Sequence, residues 1–271
     1  MRGLLPDEKL KEIDEKLPRI DINKVNKATS QELAIDEHDA FNNKTIHVSF
    51  VCIKDACDRY DYIRMSLHEA IACLTWYNEY STKEHRDYTA RFCARYYIDY
   101  AALLLYATAE DIAAFIIKFI SDEDNYKVFL ESPEAKKLFK EKRPYSKAAK
   151  IGIYLKLKHS DHNLTKIIFR LHDNQNWRET IKYRNNWVHD KPPIIAGLGI
   201  EYNRNSRINR SNNGNISIGF GGGSKAEYTF DRLFDVVFNS SKAICNTLSE
   251  LLDIVIAYKE IIVGQDEEKS L

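Results

Sequence analysis

The chain has 271 residues, 44% hydrophobic and 30% charged, with 40 basic and 40 acidic side chains that cancel. It is long enough to bury a real core, and its balance excludes collagen-like, low-complexity and disordered classes. The most apolar run, 101–120, is interrupted by Glu110, Asp111 and Lys118, so no membrane span of about 20 apolar residues is expected.

Asp7 to Leu17 reads as a short amphipathic helix between Pro6 and Pro18. The acid-rich N-terminus lacks an apolar signal core. Residues 45–53, "TIHVSFVCI", alternate with Ile46, Val48 and Phe50 on one face and predict a strand. From Lys54 to Tyr80 the apolar positions Ala56, Tyr60, Ile63, Leu67, Ala70, Leu74 and Tyr77 step by four and three, the stripe of a packed helix. A second long helix is expected from about Lys83 to Ile120, with Tyr88, Phe92, Tyr96 and Leu103 inward. Two such helices joined by a short loop imply an antiparallel bundle.

Ser132-Pro133 is an N-cap and first-turn pair for a short basic helix to about Lys142, and Ser146 caps another to Lys158. Asp161 to His189 reads as one helix whose stripe of Leu164, Ile167, Leu171, Ile181 and Val188 also contains Asn174, Arg178 and Asn185. Polar residues on an apolar face need partners, which points to this helix as a homodimer interface. Pro192-Pro193 ends it. Turn signals at Asn212–Gly214 and Gly221–Ser224 flank "NISIGF" and "KAEYTF" and predict a β-hairpin or small meander. A last helix runs from Asp231 to Ile262, followed by a frayed acidic tail.

The expected fold class is thus all-α, an antiparallel up-and-down helical bundle with a small inserted β-hairpin. Residues 1–53 form an N-terminal extension of a short helix plus a strand. Residues 54–262 form the bundle, with the β insertion at about 200–230, and residues 263–271 form a flexible tail. Cys52, Cys57, Cys73, Cys93 and Cys245 are odd in number and lack C-x-x-C spacing, which fits reduced thiols in a cytoplasmic protein without zinc.

Charge is unevenly spread. Residues 1–132 carry 17 Lys+Arg against 24 Asp+Glu, residues 133–191 carry 15 against 6, and residues 192–271 carry 8 against 10. The basic block is either a set of solvated lysine-rich helix faces or a footprint for a polyanion. "GFGGGSK" at Gly219 to Lys225 fails as a phosphate loop, since Ser224 stands where Gly is needed before Lys and Ala226 where Ser or Thr is needed after it. His159 and His162 have metal-ligand spacing but no evident third ligand, so they read as solvated or capping histidines.

The basic block also holds "RNNWVH", Arg184 to His189. Fifteen arginines and eight histidines predict roughly 0.4 R-x4-H pairs by chance, and requiring Asn after the Arg lowers that to roughly 0.03. Late in an all-α chain with one helix after it, this stretch resembles the R-x4–6-H motif of the HEPN superfamily, in which a polar residue, often Asn, follows the Arg. The resemblance covers roughly residues 54–262. It implies a metal-independent endoribonuclease, often a toxin or antiphage effector, with a composite site across a homodimer and Arg184, Asn185 and His189 as site residues. A subset of toxin members has a Tyr two residues after the His that an antitoxin modifies. Lys191 stands there, so that control is not implied, and no antitoxin or other regulatory partner is indicated.

The residue chemistry points the same way. Cleaving RNA needs a base for the 2′-OH, an acid for the 5′-oxygen and positive charge for the phosphorane. His transfers protons near neutrality, and Arg offers a planar fork to phosphate. Asn185 and His189 share a helix face, so the amide can orient the imidazole. Arg184 and His189 diverge by about 140° on an ideal helix, which calls for unwinding or a second subunit. Arg178 and Lys182 are the expected RNA contacts. Asp190 is the only acid between Thr180 and Pro193, so neither metal nor other cofactor is expected. Two other readings stand beside this one. The first is a non-catalytic RNA- or nucleotide-binding module. The second is a structural helix end in which Arg184 pairs with Asp190 or Glu179.

Overall fold

The computed structural model describes residues 5–29, 44–81, 88–142, 144, 146–189, 193–196, 206–210, 216–220 and 226–269, with backbone only for 44–47, 88, 206–210, 216–220 and 261–269. The chain folds as an all-α helical bundle. In order the helices are α1 (Asp7–Lys16), α2 (Ile22–Thr29), α3 (Lys44–Thr75), α4 (Tyr88–Phe119), α5 (Glu123–Glu131), α6 (Pro133–Lys142), α7 (Lys147–Lys158), α8 (Asn163–Asp173), α9 (Gln175–His189) and α10 (Phe230–Lys269). A π-turn, Trp76–Tyr80, continues α3.

The centre is the pair α3 and α4, each 32 residues, or about 48 Å long. The buried residues of α4 include Ala90, Ala94, Ile98, Ala101, Leu105, Ala109, Ile112 and Ile116. Their steps of four and three make one face, and its alanines let the α3 backbone come close. Phe92, Tyr96 and Tyr100 lie on the opposite side and are exposed. The expectation that Phe92 and Tyr96 point inward is therefore corrected: rings there would hold the two helices apart. Leu103 is only partly buried and the Tyr88 side chain lies outside the described residues. By length and composition Thr89–Phe119 could cross a membrane, but 56% of its most apolar stretch is buried inside the fold.

The strand expected at 45–53 is helix, the first part of α3. Phe50, Ile53, Ala56, Tyr60, Ile63 and Leu67 are all buried, so the helical stripe starts upstream of Lys54 and overrides the short alternation. The boundary drawn between 53 and 54 thus falls within one helix. The N-terminal helices pack on that frame. Leu5 and Ile13 bury against Ala72, while Val25 and Ala28 join the main core. Lys24 pairs with Asp253 at 2.7 Å.

Ser132 Oγ accepts from Ala135 N at 3.1 Å and Ser146 Oγ from Ala149 N at 2.9 Å, so both serines cap α6 and α7 as expected. β1 (Ser206–Arg210) and β2 (Ile216–Phe220) pair antiparallel, Ile208 opposite Ile218. The turns expected at 212–214 and 221–224 lie outside the described residues. α10 runs past Gly264 to Lys269, so its last turns cover most of the segment expected to be a frayed, flexible tail. The five cysteines are unpaired.

Candidate active site

The stretch 161–189 is two helices rather than one, and Asn174 is the reason. Its N–H donates to Leu171 O at 3.1 Å, closing α8, while its Oδ1 accepts from Trp177 N at 3.0 Å, opening α9. Asn suits this double role because its short amide competes with backbone partners. The polar residue that looked unpartnered in the stripe is therefore a cap.

α9 is fixed by its other face. Trp177, Thr180 and Tyr183 are buried. Thr180 Oγ1 and Ser240 Oγ are 2.8 Å apart, bonding α9 to α10. The Tyr183 hydroxyl donates to Asp99, which Arg95 Nε approaches at 3.5 Å. Burial raises the Asp99 carboxyl above its ordinary value, against the pull of Tyr183 and Arg95. Arg232 pairs with Glu179 at 2.6 Å.

With that side clamped, the face carrying Arg178, Lys182, Asn185 and His189, in steps of four, three and four, turns away from the core. The first three line a cleft of about 660 Å³ between α4, α7, α8 and α9. Arg178 Nε donates to His172 O at 2.7 Å and Nη2 pairs with Asp173 at 2.5 Å, yet its side chain is 62% exposed. Lys182 is exposed, and Lys142 adds a third cation to the lining. Phe169 and Trp177 give the cleft apolar walls.

Arg184 sits beside it. Its guanidinium stacks over the Tyr106 ring of α4, 3.9 Å from the centroid. Nη1 donates to Asn185 Oδ1 at 3.0 Å and lies 3.4 Å from His189 Nε2. Nε is buried and has no partner among the described residues. An arginine only donates, so the long contact to His189 requires a lone pair on Nε2. α9 stays helical to His189, so unwinding is not what brings the two together. The arginine arm reaches along the helix and spans the divergence. Asn185 bonds the arginine, and no Asn185–His189 bond occurs among the described residues. The amide thus orients Arg184 rather than the imidazole. Burial, then the Glu110 charge, push the Tyr106 phenol up, while the Arg184 cation pulls it down.

Glu179 is taken by Arg232, which removes one partner foreseen for a purely structural Arg184. Asp190 lies outside the described residues. His162 caps α8 by accepting from Leu164 N at 3.2 Å. His159 Nε2 meets Asp122 Oδ2 at 2.6 Å, beside a hydroxyl donated by Tyr154. Both histidines are thereby accounted for locally. Tyr106, Glu110, Lys142 and His172 were not picked out from the sequence. Glu110 left a signal, as a charge inside an apolar helix, whereas Tyr106 and His172 left none.

No family model matches the chain, and no curated protein or solved structure is significantly similar to it.

Proposed function

We propose that the chain is a HEPN-like, metal-independent endoribonuclease that cleaves single-stranded RNA at Arg184, Asn185 and His189. It acts as a cytoplasmic homodimer in a toxin-like or defence role, with the two strands forming a small hairpin on the bundle. The observation that carries the reading is the contact of the Arg184 guanidinium with both Asn185 Oδ1 and His189 Nε2 next to a cleft lined by Lys142, Arg178 and Lys182. A planar cation beside an imidazole is the pair that phosphoryl chemistry needs: charge for the phosphorane and a site for the proton.

The step follows from those groups. A phosphate draws the Arg184 fork onto two of its oxygens. His189 Nε2 takes the proton of the 2′-OH, the 2′-oxygen bonds to phosphorus, and the bond to the 5′-oxygen breaks. The leaving oxygen takes a proton from an acid, for which His189 of a second copy is the candidate, since a two-fold axis brings identical groups together. Arg178 and Lys182 hold the strand.

A second reading has its own support. Arg184 is already stacked and bonded within the chain, which suits a cation that binds RNA without cutting it. Incubating single-stranded RNA with the protein in excess EDTA separates the two. Cleavage lost in His189→Ala supports the nuclease, and tight binding of uncut RNA supports the binding module.

A further inference from the structure

Two polar atoms of the cleft beside Arg184 have no partner among the described residues. Glu110 Oε1 and His172 Nε2 are buried and form no hydrogen bond there, and both residues line the cavity. The Tyr106 hydroxyl lies close enough to Glu110 for the carboxylate to act on it, yet no hydrogen bond of ordinary geometry reaches Oε1. Buried polar atoms are almost always paired, so an orphan facing a cavity marks a place that something else fills.

Both groups are held against one wall. The other Glu110 oxygen, Oε2, accepts from Ala148 N at 3.1 Å at the start of α7. The His172 ring lies against Gly152 on the same helix, where a Cβ would stand 3.5 Å from Nε2. Ala148 and Gly152 are one turn apart, about 6 Å along the axis. Burial holds the His172 imidazole below its ordinary value, so near neutrality one ring nitrogen donates and the other accepts. Phe169 and Trp177 supply flat apolar surface, and Arg178 and Lys182 bring cations from α9, the helix that also carries Arg184.

A hydrocarbon ligand would leave both orphans unpaired, and a sugar would waste the apolar walls. A flat heterocycle with apolar faces and a hydrogen-bonding edge satisfies both. We propose that the cleft is a base-reading pocket that takes one unstacked nucleobase of the RNA strand engaged by Arg184, with Glu110 accepting an N–H from the base edge and His172 bonding beside it. The proposal rests on the RNA-directed reading of this site and names the residues that select the base. Single-stranded RNA is commonly read in this manner, by stacking and by edge hydrogen bonds.

The test is equilibrium binding of the four ribonucleoside 3′-monophosphates, measured by calorimetry. Wild-type protein is expected to prefer one base over the poorest by at least about tenfold. Gly152→Ala adds a methyl at ordinary contact distance and favours helix over glycine, so its thermal midpoint holds or rises while the preferred nucleotide binds at least about tenfold more weakly. In Glu110→Gln the amide oxygen must stay on Ala148 N–H, so an NH2 donor replaces the acceptor and the base preference changes. Arg184→Ala weakens all four nucleotides alike and keeps their order. The pocket is overturned if the four bind equally, if none binds, or if Gly152→Ala and Glu110→Gln bind as wild type does. RNA cleavage dependent on His189 with a flat nucleotide order would sink the pocket and leave the nuclease standing. A Glu110-dependent base order without cleavage would do the reverse.

Discussion

Arg184 has a guanidinium face on Tyr106, one nitrogen shared between Asn185 and His189, and a buried Nε with no bond among the described residues. A lysine cannot replace it, because a point charge neither stacks flat nor forks. Arg184→Lys and Arg184→Ala are both expected to abolish cleavage. Loss of the stack should cost Arg184→Ala about 1 kcal/mol of stability. His189 is exposed and makes one long contact among the described residues, so His189→Ala should lose cleavage with its stability changed by no more than about 0.5 kcal/mol. Initial rates and thermal midpoints of the three variants check this. A purely structural role predicts altered midpoints and no cleavage to lose. The R-x4-H pair and its Asn neighbour were legible in the sequence because chemistry and spacing coincide in one short segment. Tyr106 and His172 were not, and Glu110 showed only as a charge inside an apolar run, because all three come from other helices and only tertiary packing joins them to α9.

At the scale of elements, two short polar features set where helices stop. Asn174 closes α8 and opens α9, so Asn174→Ala should cost about 1 kcal/mol and disturb Arg178, whose N–H donates to Asn174 O at 3.1 Å. Chemical denaturation measures the cost. Asp122 ties the start of α5 to the end of α7. Burial pushes its carboxyl up, but the hydrogen bonds from Tyr154, His159 and Asn125 outweigh that and hold it below the ordinary value. A depressed folded pKa gives stability that is complete above the unfolded value and is lost as pH falls through the folded one. Asp122→Asn should therefore be less stable than wild type by about 2 kcal/mol at neutral pH, with the gap closing below about pH 4. Urea midpoints across that range test the sign, and a gap that widens in acid contradicts it. The helix caps at Ser132 and Ser146 were readable because capping is local. The split at Asn174 was missed because an apolar stripe continues in register across it. The start of α3 was misread because a helical stripe and a five-residue alternation share Phe50.

For the whole molecule, the expected homodimer first rested on polar residues of the 161–189 stripe. Within one chain Asn174 is a cap and Arg178 pairs with Asp173, so that argument no longer requires a partner. The need for a second proton-transfer group does, because His189 is the one imidazole in contact with Arg184 among the described residues. Light scattering at tens of micromolar should give twice the chain mass, and a monomer that still cuts RNA at full rate would refute the shared site. Bundle architecture was legible from helical periodicity, which burial enforces along every long element. Which helices meet to form the cleft was not, since that depends on contacts distant in sequence. The most direct test of the central claim is an RNA oligonucleotide carrying a single 2′-deoxy nucleotide at the cut position, incubated in excess EDTA beside its all-ribose twin. The account predicts that the twin is cut to a 2′,3′-cyclic phosphate and a 5′-hydroxyl while the substituted strand stays intact at that position. Cleavage of the substituted strand there, or activity that dies in EDTA and returns with magnesium or manganese, would contradict it.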